Sequence, residues 1–300
     1  MNTIKEKYGH IAKELIQNSI QTGHVDPDAI YQEANKSNRA ILNKIVQDLL
    51  LPGSDIRNFA ELLKLHNLAQ EGKSCLILME HYSNFDLPNL YYLLENKHSN
   101  GEDIGDSIIA MAGMKLNVES EFVRAFTEAY TRIVIYPSRS LTPLMGTAKY
   151  EEEKTKARKL NMAALHEMVR AKHSGKIILL FPSGTRYRPG NEDTRRGLAE
   201  VDSYIKGFDY VLPIAIAGNT LRVNAKGSMS EDFVHPDCMV FQAGDVREAK
   251  PWRAEIRKEA PQGENPKQFM ADRVMEELAE LHTQAQVYRK EQLPADYRED

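Results

Sequence analysis

The chain has 300 residues, of which 42% are hydrophobic and 27% charged, a composition typical of a globular protein that can bury a core. This length fits two domains, or one large α/β domain with an appendage. The formal net charge of −4 argues against a general nucleic-acid binder, because such proteins are usually basic.

The first 70 residues are predicted to form a smaller all-helical domain. Apolar residues recur there at helical spacing, as in Ile4, Tyr8, Ile11 and Leu15. Asp26 and Pro27 supply a cap and a first-turn proline for a second helix. A break at Pro52–Ser54 precedes a third helix, and no strand is expected in this segment.

The remainder, residues 71–300, is predicted to form an α/β catalytic domain. Short apolar runs typical of buried strands occur at 75–80, 108–112, 132–136, 176–181, 210–217 and 238–243. Helical segments are predicted at about 86–97, 117–130, 141–173, 195–206 and 265–291. This alternation predicts a mixed, largely parallel sheet covered by helices, with a ligand crevice beyond the strand ends.

The first strand is followed by a histidine and an aspartate five residues apart, His81 and Asp86. The carboxylate of such a pair can fold back onto one ring nitrogen and leave the other free to take a proton from a hydroxyl. The spacing alone is weak, since His98 and Asp103 repeat it in a polar loop that no strand precedes. A capping or core histidine is the alternative for His81.

A second turn follows the strand at 176–181 and contains Gly184, Thr185, Arg186 and Arg188. Arginine forks suit the geometry of phosphate, and a glycine lets the backbone approach a ligand closely. The alternative is a surface turn with solvated arginines.

Two further cations follow predicted strands: Lys115 comes after the run at 108–112, and Arg139 comes after the run at 132–136. A cation beyond a strand end can bind a phosphate. For each residue taken alone, a solvated charge is the alternative.

Four blocks occur along the chain in one order: HYSNFD at 81–86, AGMK at 112–115, FPSGTR at 181–186 and LPIAI at 212–216. In order and strand context they resemble the glycerolipid acyltransferase family. The R-x-R-P pattern that begins at Arg186, the helical segment 159–168 and the helical N-terminal part resemble the soluble chloroplast-type glycerol-3-phosphate acyltransferases. Ser183 stands where membrane-bound lysophosphatidate acyltransferases usually carry glutamate, whereas Thr185 agrees with their pattern.

The resemblance implies that His81 is a general base and Asp86 its orienting partner. The expected phosphate-binding residues are Arg186, Arg188, Arg139 and Lys115. Arg139 and Ser140 occupy the place of a lysine–histidine pair of the soluble group, so the cation is kept and the histidine is lost. Backbone N–H groups of a turn are expected to hold the oxyanion, with Gly184 and Thr185 as candidates.

The implied reaction moves a fatty-acyl group from acyl-CoA or acyl carrier protein to glycerol-3-phosphate and gives lysophosphatidate. No cofactor and no metal are expected. The alternatives are acylation of lysophosphatidate to phosphatidate, a non-catalytic module that binds phosphate or lipid, and a thioesterase, although no G-x-S-x-G nucleophile turn is evident.

The cellular location follows from composition and patterning. The two cysteines, Cys75 and Cys238, are too few to predict a disulfide framework. The sequence contains no run of about 18 consecutive apolar residues, so no membrane span is predicted. We therefore expect a cytoplasmic protein, or a stromal one in a plant. Peripheral contact with an anionic membrane is a further option, because the basic stretch 149–176 can bind lipid head groups. The same stretch can instead dock acidic carrier protein or coenzyme A phosphates, and a solvated helix is the alternative.

Overall fold

A computed structural model describes residues 1–20, 23–224, 227 and 229–299. The strands are β1 (Tyr31–Gln32), β2 (Asp55–Arg57), β3 (Cys75–Met79), β4 (Ile108–Gly113), β5 (Arg132–Ile135), β6 (Ile177–Leu180), β7 (Tyr210–Ala217), β8 (Leu221–Arg222), β9 (Phe233–Val234), β10 (Val240–Ala243) and β11 (Arg247–Glu248). The helices are α1 (Ile4–Gln17), α2 (Lys36–Leu49), α3 (Phe59–Gln70), α4 (Asp86–Lys97), α5 (Gly101–Ser107), α6 (Lys115–Val118), α7 (Glu121–Thr127), α8 (Tyr150–Ala171), α9 (Val201–Lys206), α10 (Ala249–Glu259) and α11 (Pro266–Gln292).

Nine of these strands form one sheet in the order β1-β5-β4-β6-β3-β7-β10-β2, with β11 paired to β7. The five strands β5, β4, β6, β3 and β7 run parallel to one another. β1 pairs antiparallel with β5, and β10 and β11 pair antiparallel with β7, whereas β2 is parallel to β10. The prediction of a mixed, largely parallel sheet is confirmed, and its six predicted strands are all present.

Helices cover both faces of the sheet. One hydrophobic cluster joins the sheet to α1–α5 and α7 through residues such as Leu42, Leu62, Leu93 and Phe126. The other joins it to α8–α11 through residues such as Leu160, Ile205, Trp252 and Leu278. Strands buried on both faces explain why their sequences are continuous apolar runs.

The N-terminal segment is mainly helical, as predicted, but it also contributes two strands that the sequence analysis missed. β1 pairs with β5 and β2 pairs with β10, so both lie at the edges of the main sheet. With two and three residues, they are too short to show an alternating pattern. The division of the chain into domains at residue 70 stays a prediction.

Several helix boundaries differ from the predictions. The segment 117–130 is divided at Ser120, whose side chain accepts from the N–H of Val123 and caps α7. The helix predicted from residue 141 begins only at Tyr150. α10 was not predicted. In the part of the chain that the structure describes, no helix combines the length and the apolar character needed to cross a membrane.

Candidate active site

The loop from the end of β3 to the start of α4 holds the His81–Asp86 pair. Nδ1 of His81 lies 2.8 Å from Oδ2 of Asp86. The backbone N–H groups of Tyr82 and Ser83 donate to the same carboxylate at 2.7 and 3.0 Å. Asp86 is buried in the first turn of α4, where the helix dipole favours a negative charge. The carboxylate is therefore fixed by three donors.

This arrangement decides the tautomer of His81. Because a carboxylate can only accept, Nδ1 carries the proton and the neutral ring presents an unprotonated Nε2. Among the described residues, Nε2 has no hydrogen-bond partner and is not sealed from solvent. The side chain of His81 is 18% exposed. The ring can accept a proton from an outside hydroxyl.

The turn after β6 packs directly against this histidine. The ring of Phe181 stacks on that of His81 with 3.9 Å between ring centroids and 17° between the planes. The backbone N–H of Tyr187 donates to the carbonyl of His81 at 2.8 Å. Because β3 and β6 are parallel neighbours, their carboxyl ends bring the two sequence blocks together.

Backbone geometry in this turn distinguishes the two oxyanion candidates. Gly184 adopts a positive φ of 64°, and its N–H donates to the carbonyl of Phe181 at 2.9 Å. A Cβ at this position would lie 2.6 Å from a methyl group of Leu198. The N–H of Thr185 has no acceptor within the described part of the chain, so it is the one of the two that is not already engaged.

The hydroxyl of Ser183 stabilises the turn itself through a hydrogen bond. It donates to the carbonyl of Thr185 at 2.7 Å, and the residue is buried. No basic side chain lies within hydrogen-bond distance of it in the described ranges. Ser183 therefore lacks the arrangement of an activated nucleophile.

The two arginines of the turn have different surroundings. Nη1 of Arg186 lies 2.6 Å from Oδ2 of Asp232, and both side chains are largely buried. Arg188 is exposed, and its side chain joins no ion pair in the residues described. A bound phosphate would compete with Asp232 for the guanidinium of Arg186, whereas it would meet no such competition at Arg188 among the described residues.

The other two predicted cations lie farther along the same sheet edge. Lys115 begins α6 after β4, and Arg139 lies in a 3-10 turn after β5. From the spacing of strands, β4 and β5 are roughly 10 and 14 Å from β3. Both cations are exposed, and the one ion pair of Lys115 among the described residues is with Glu119, at 3.9 Å. Reaching a ligand beside His81 would require their side chains to extend across the edge.

Sequence reasoning missed a second polar cluster behind the site. Nδ1 of His282 on α11 lies 3.1 Å from Oε2 of Glu80, which also accepts the N–H of Ile216 at 2.8 Å. The hydroxyl of Tyr82 donates to Oε1 of Glu80 at 2.9 Å, and burial raises the pKa of Tyr82 strongly. Nη2 of Arg195 approaches that hydroxyl at 3.3 Å. The one sequence signal was a glutamate at the end of an apolar run.

The repeated spacing at His98 has no catalytic geometry. The ring of His98 stacks on Phe59 and lies 3.3 Å from a carboxylate oxygen of Asp55, whereas Asp103 is exposed. Burial lowers the pKa of His98. This histidine joins α4 to β2 and α3.

Two cavities lie near the sheet edge. A small apolar one is lined by Ile4, Asn84, Leu116, Phe122, Phe126 and Leu221. An open cleft of about 640 Å³ lies between α8 and residues 23–27 and reaches Met114 at the end of β4. Asn84 belongs to the His81–Asp86 loop, so the apolar cavity adjoins the candidate site.

The comparisons with known proteins agree with this geometry. A family model described as acyltransferase matches residues 61–217, which contain the His81–Asp86 loop, the turn after β6 and all five parallel strands. No curated protein matches the chain. Since the match covers more than half of the 300 residues and includes the histidine–aspartate pair, the chain belongs to the acyltransferase family.

Proposed function

We propose that the protein transfers a fatty-acyl group from the thioester of acyl-CoA or acyl carrier protein to a hydroxyl of glycerol-3-phosphate. The product is lysophosphatidate. The observation that carries the proposal is the buried Asp86 carboxylate on Nδ1 of His81, which leaves Nε2 open at the edge of the sheet. A base is needed where an alcohol must lose its proton as it attacks.

The proposed reaction proceeds in one ternary complex. Nε2 of His81 takes the proton of the acceptor hydroxyl while that oxygen forms a bond to the thioester carbonyl carbon. Asp86 stabilises the resulting imidazolium through Nδ1. The carbon–sulfur bond then breaks, and the leaving thiolate takes the proton from His81. No protein nucleophile, metal or cofactor takes part.

The negative oxygen of the tetrahedral intermediate needs a donor that is not already engaged. Of the two candidates in the turn after β6, Gly184 donates its N–H to the carbonyl of Phe181, whereas the N–H of Thr185 has no acceptor among the described residues. This N–H belongs to the turn whose Phe181 stacks on His81. We assign it to the oxyanion because a preorganised backbone donor costs no reorganisation during the reaction.

The preference for a phosphorylated acceptor depends on the arginines of the same turn. Arg188 has no competing carboxylate within the described residues, and its neighbour Tyr187 is hydrogen-bonded to His81. The planar guanidinium donates two parallel hydrogen bonds to phosphate oxygens. Arg188 is thus the primary phosphate ligand of the proposal, with Arg186, Arg139 and Lys115 as secondary cations.

One assay separates this proposal from its alternatives. Thiol release and acyl product are measured with acyl-CoA and acyl carrier protein donors against glycerol-3-phosphate, its monoacylated form and unphosphorylated glycerol. We expect release that depends on glycerol-3-phosphate and is much slower with glycerol. Acylation of the monoacylated acceptor alone would assign the second step, which makes phosphatidate.

The two remaining outcomes also have a clear meaning. Thiol release at the same rate without any acceptor would indicate a thioesterase. Binding of glycerol-3-phosphate with no transfer from either donor would indicate a non-catalytic module. The hydroxyl of Ser183 is already hydrogen-bonded, which argues against a thioesterase. The free Nε2 of His81 argues against a non-catalytic module.

A further inference from the structure

The outward face of α8 carries an apolar stripe that the fold does not use. Among the described residues, eight large apolar side chains are strongly exposed, and three of them, Met162, Leu165 and Val169, lie on this helix. They are 50%, 44% and 43% exposed. Their spacing of three and four residues puts them on one side of the helix, which we call the outer stripe.

The opposite side of α8 explains why the stripe faces outward. The buried residues of the helix are Ala157, Leu160, Ala164, Met168 and Ala171, which pack on the sheet. Small and apolar residues therefore complete the core without the stripe. A contiguous exposed apolar patch on a stable protein commonly marks an interaction surface.

Cations accompany the outer stripe on α8, and Arg158, four residues before Met162, lies on the same side of the helix. Residues 154–172 contain six lysines and arginines, Lys154, Lys156, Arg158, Lys159, Arg170 and Lys172, and one carboxylate, Glu167. Glu167 is neutralised by its ion pair with Arg170. Within the described part of the chain, Lys156, Arg158 and Lys159 join no ion pair, but the two lysines line the cleft between α8 and residues 23–27. The helix surface that carries the stripe is basic in a chain whose net charge is −4.

The acidic start of the helix offsets only part of these cations. Glu151 lies 3.6 Å from Lys154, Glu152 lines the cleft together with Lys156 and Lys159, and Glu153 accepts a hydrogen bond from the hydroxyl of Tyr136. Arg158, five residues after Glu153, has no acidic partner among the described residues. It is the unpaired cation beside the stripe.

The position of the stripe relates it to the active-site edge. The side chain of Asn161 makes two hydrogen bonds to the backbone of Tyr136, directly after β5. Met162 is therefore level with the strand ends, and the stripe runs from there along the outside of the helix.

We propose that the outer stripe and its cations bind the surface of an anionic lipid bilayer. Apolar side chains enter the interface between head groups and acyl chains, while lysines and arginines bind the lipid phosphates. An acidic partner protein would also match the charges, and the vesicle experiment below separates it from a bilayer, because such a partner would leave the protein unbound to anionic vesicles. This binding needs no substrate and goes beyond the proposed function, so it stands even if the acceptor is another molecule.

Co-sedimentation with vesicles tests the proposal. The full chain is mixed with phosphatidylcholine vesicles that do or do not contain phosphatidylglycerol, at low and high salt. We expect binding only to the anionic vesicles, weakened by salt because screening reduces the attraction between exposed charges. The triple variant Met162→Ser/Leu165→Ser/Val169→Ser should bind at least about tenfold more weakly, since the buried apolar area is lost.

A matched control is the variant Val287→Ser. Val287 is 58% exposed on α11, outside the stripe, so its loss should leave vesicle binding unchanged. Binding of the triple serine variant at the wild-type level would overturn the proposal, as would equal binding to neutral vesicles. A wild-type dimer that becomes monomeric in the triple variant, as seen by sedimentation velocity, would instead make the stripe a contact between two copies.

Discussion

Two histidine–carboxylate pairs lie side by side at the end of β3, and only one of them can act as a base. His81 binds Asp86 and His282 binds Glu80, at 2.8 and 3.1 Å. Each carboxylate is buried and also accepts backbone N–H groups. By distance and burial alone, the two pairs are nearly equivalent.

The difference lies in the second nitrogen of each ring. Nε2 of His282 is 3.2 Å from the side-chain amide of Gln286, and Nδ1 also faces the hydroxyl of Tyr82. Nε2 of His81 has no partner among the residues described. The comparison teaches that a histidine–carboxylate pair becomes a candidate base only when the fold leaves one nitrogen free. The second pair joins α11 to the sheet.

The largest expected effect is that of His81→Ala. Removal of the proposed base should reduce acyl transfer roughly 10²- to 10⁴-fold, the contribution of general base catalysis, since no other free base adjoins the turn in the described ranges. The variant should remain folded, with a free energy of unfolding lower by about 1–3 kcal/mol at most, because the buried Asp86 keeps the N–H donors of Tyr82 and Ser83. The matched control is His98→Ala, which should keep wild-type turnover. Full activity in purified, folded His81→Ala protein would refute the mechanism.

Asp86→Asn should cost about 10³-fold in turnover, within the range of general base catalysis. The N–H groups of Tyr82 and Ser83 will hold the amide oxygen at the place of Oδ2, which is also the atom that faces Nδ1 of His81. The tautomer of His81 is therefore kept, but the negative charge that stabilises the imidazolium is lost. Turnover is measured at saturating substrates beside a thermal melt. A variant that retains a third of wild-type turnover would show that the charge of Asp86 is not needed.

Contacts between residues that are close in the sequence could be predicted, whereas contacts between distant residues could not. His81 and Asp86 are five residues apart on one turn, so their contact could be expected from spacing and strand context. The partners Glu80 and His282 are 202 residues apart and meet only because α11 packs beside β7. Arg186 could be identified as a cation near the site, but its partner Asp232, 46 residues later, could not.

The same rule holds for the fold. The six predicted strands are long enough to show a continuous apolar run, whereas β1 and β2 are edge pairings of two or three residues that only tertiary contacts define. The free N–H of Thr185 depends on the turn geometry around Gly184, which residue types alone do not specify.

A smaller effect is expected from Arg188, whose turn packs against the His81–Asp86 pair. Arg188→Ala should raise the KM for the phosphorylated acceptor about tenfold or more and leave kcat within a few-fold, because a charged hydrogen bond contributes roughly 1.5–3 kcal/mol. The matched control is Arg195→Ala, since Arg195 binds the hydroxyl of Tyr82 in the second cluster. An unchanged KM in Arg188→Ala would move the phosphate site to the other cations.

The smallest effect on activity is expected from His282→Ala, which should lower stability without the loss of turnover expected for His81→Ala. Loss of the ring leaves the buried Glu80 with fewer partners, which should lower the free energy of unfolding by about 1–3 kcal/mol while turnover stays within about threefold at a temperature where the variant is folded. Thr283→Ala, exposed on the next position of α11, is the control and should change neither quantity. Denaturant unfolding and initial rates measure the two effects. If turnover fell as far in folded His282→Ala as in His81→Ala, the second pair would belong to the catalytic machinery, because a helix-anchoring contact has no reason to govern proton transfer.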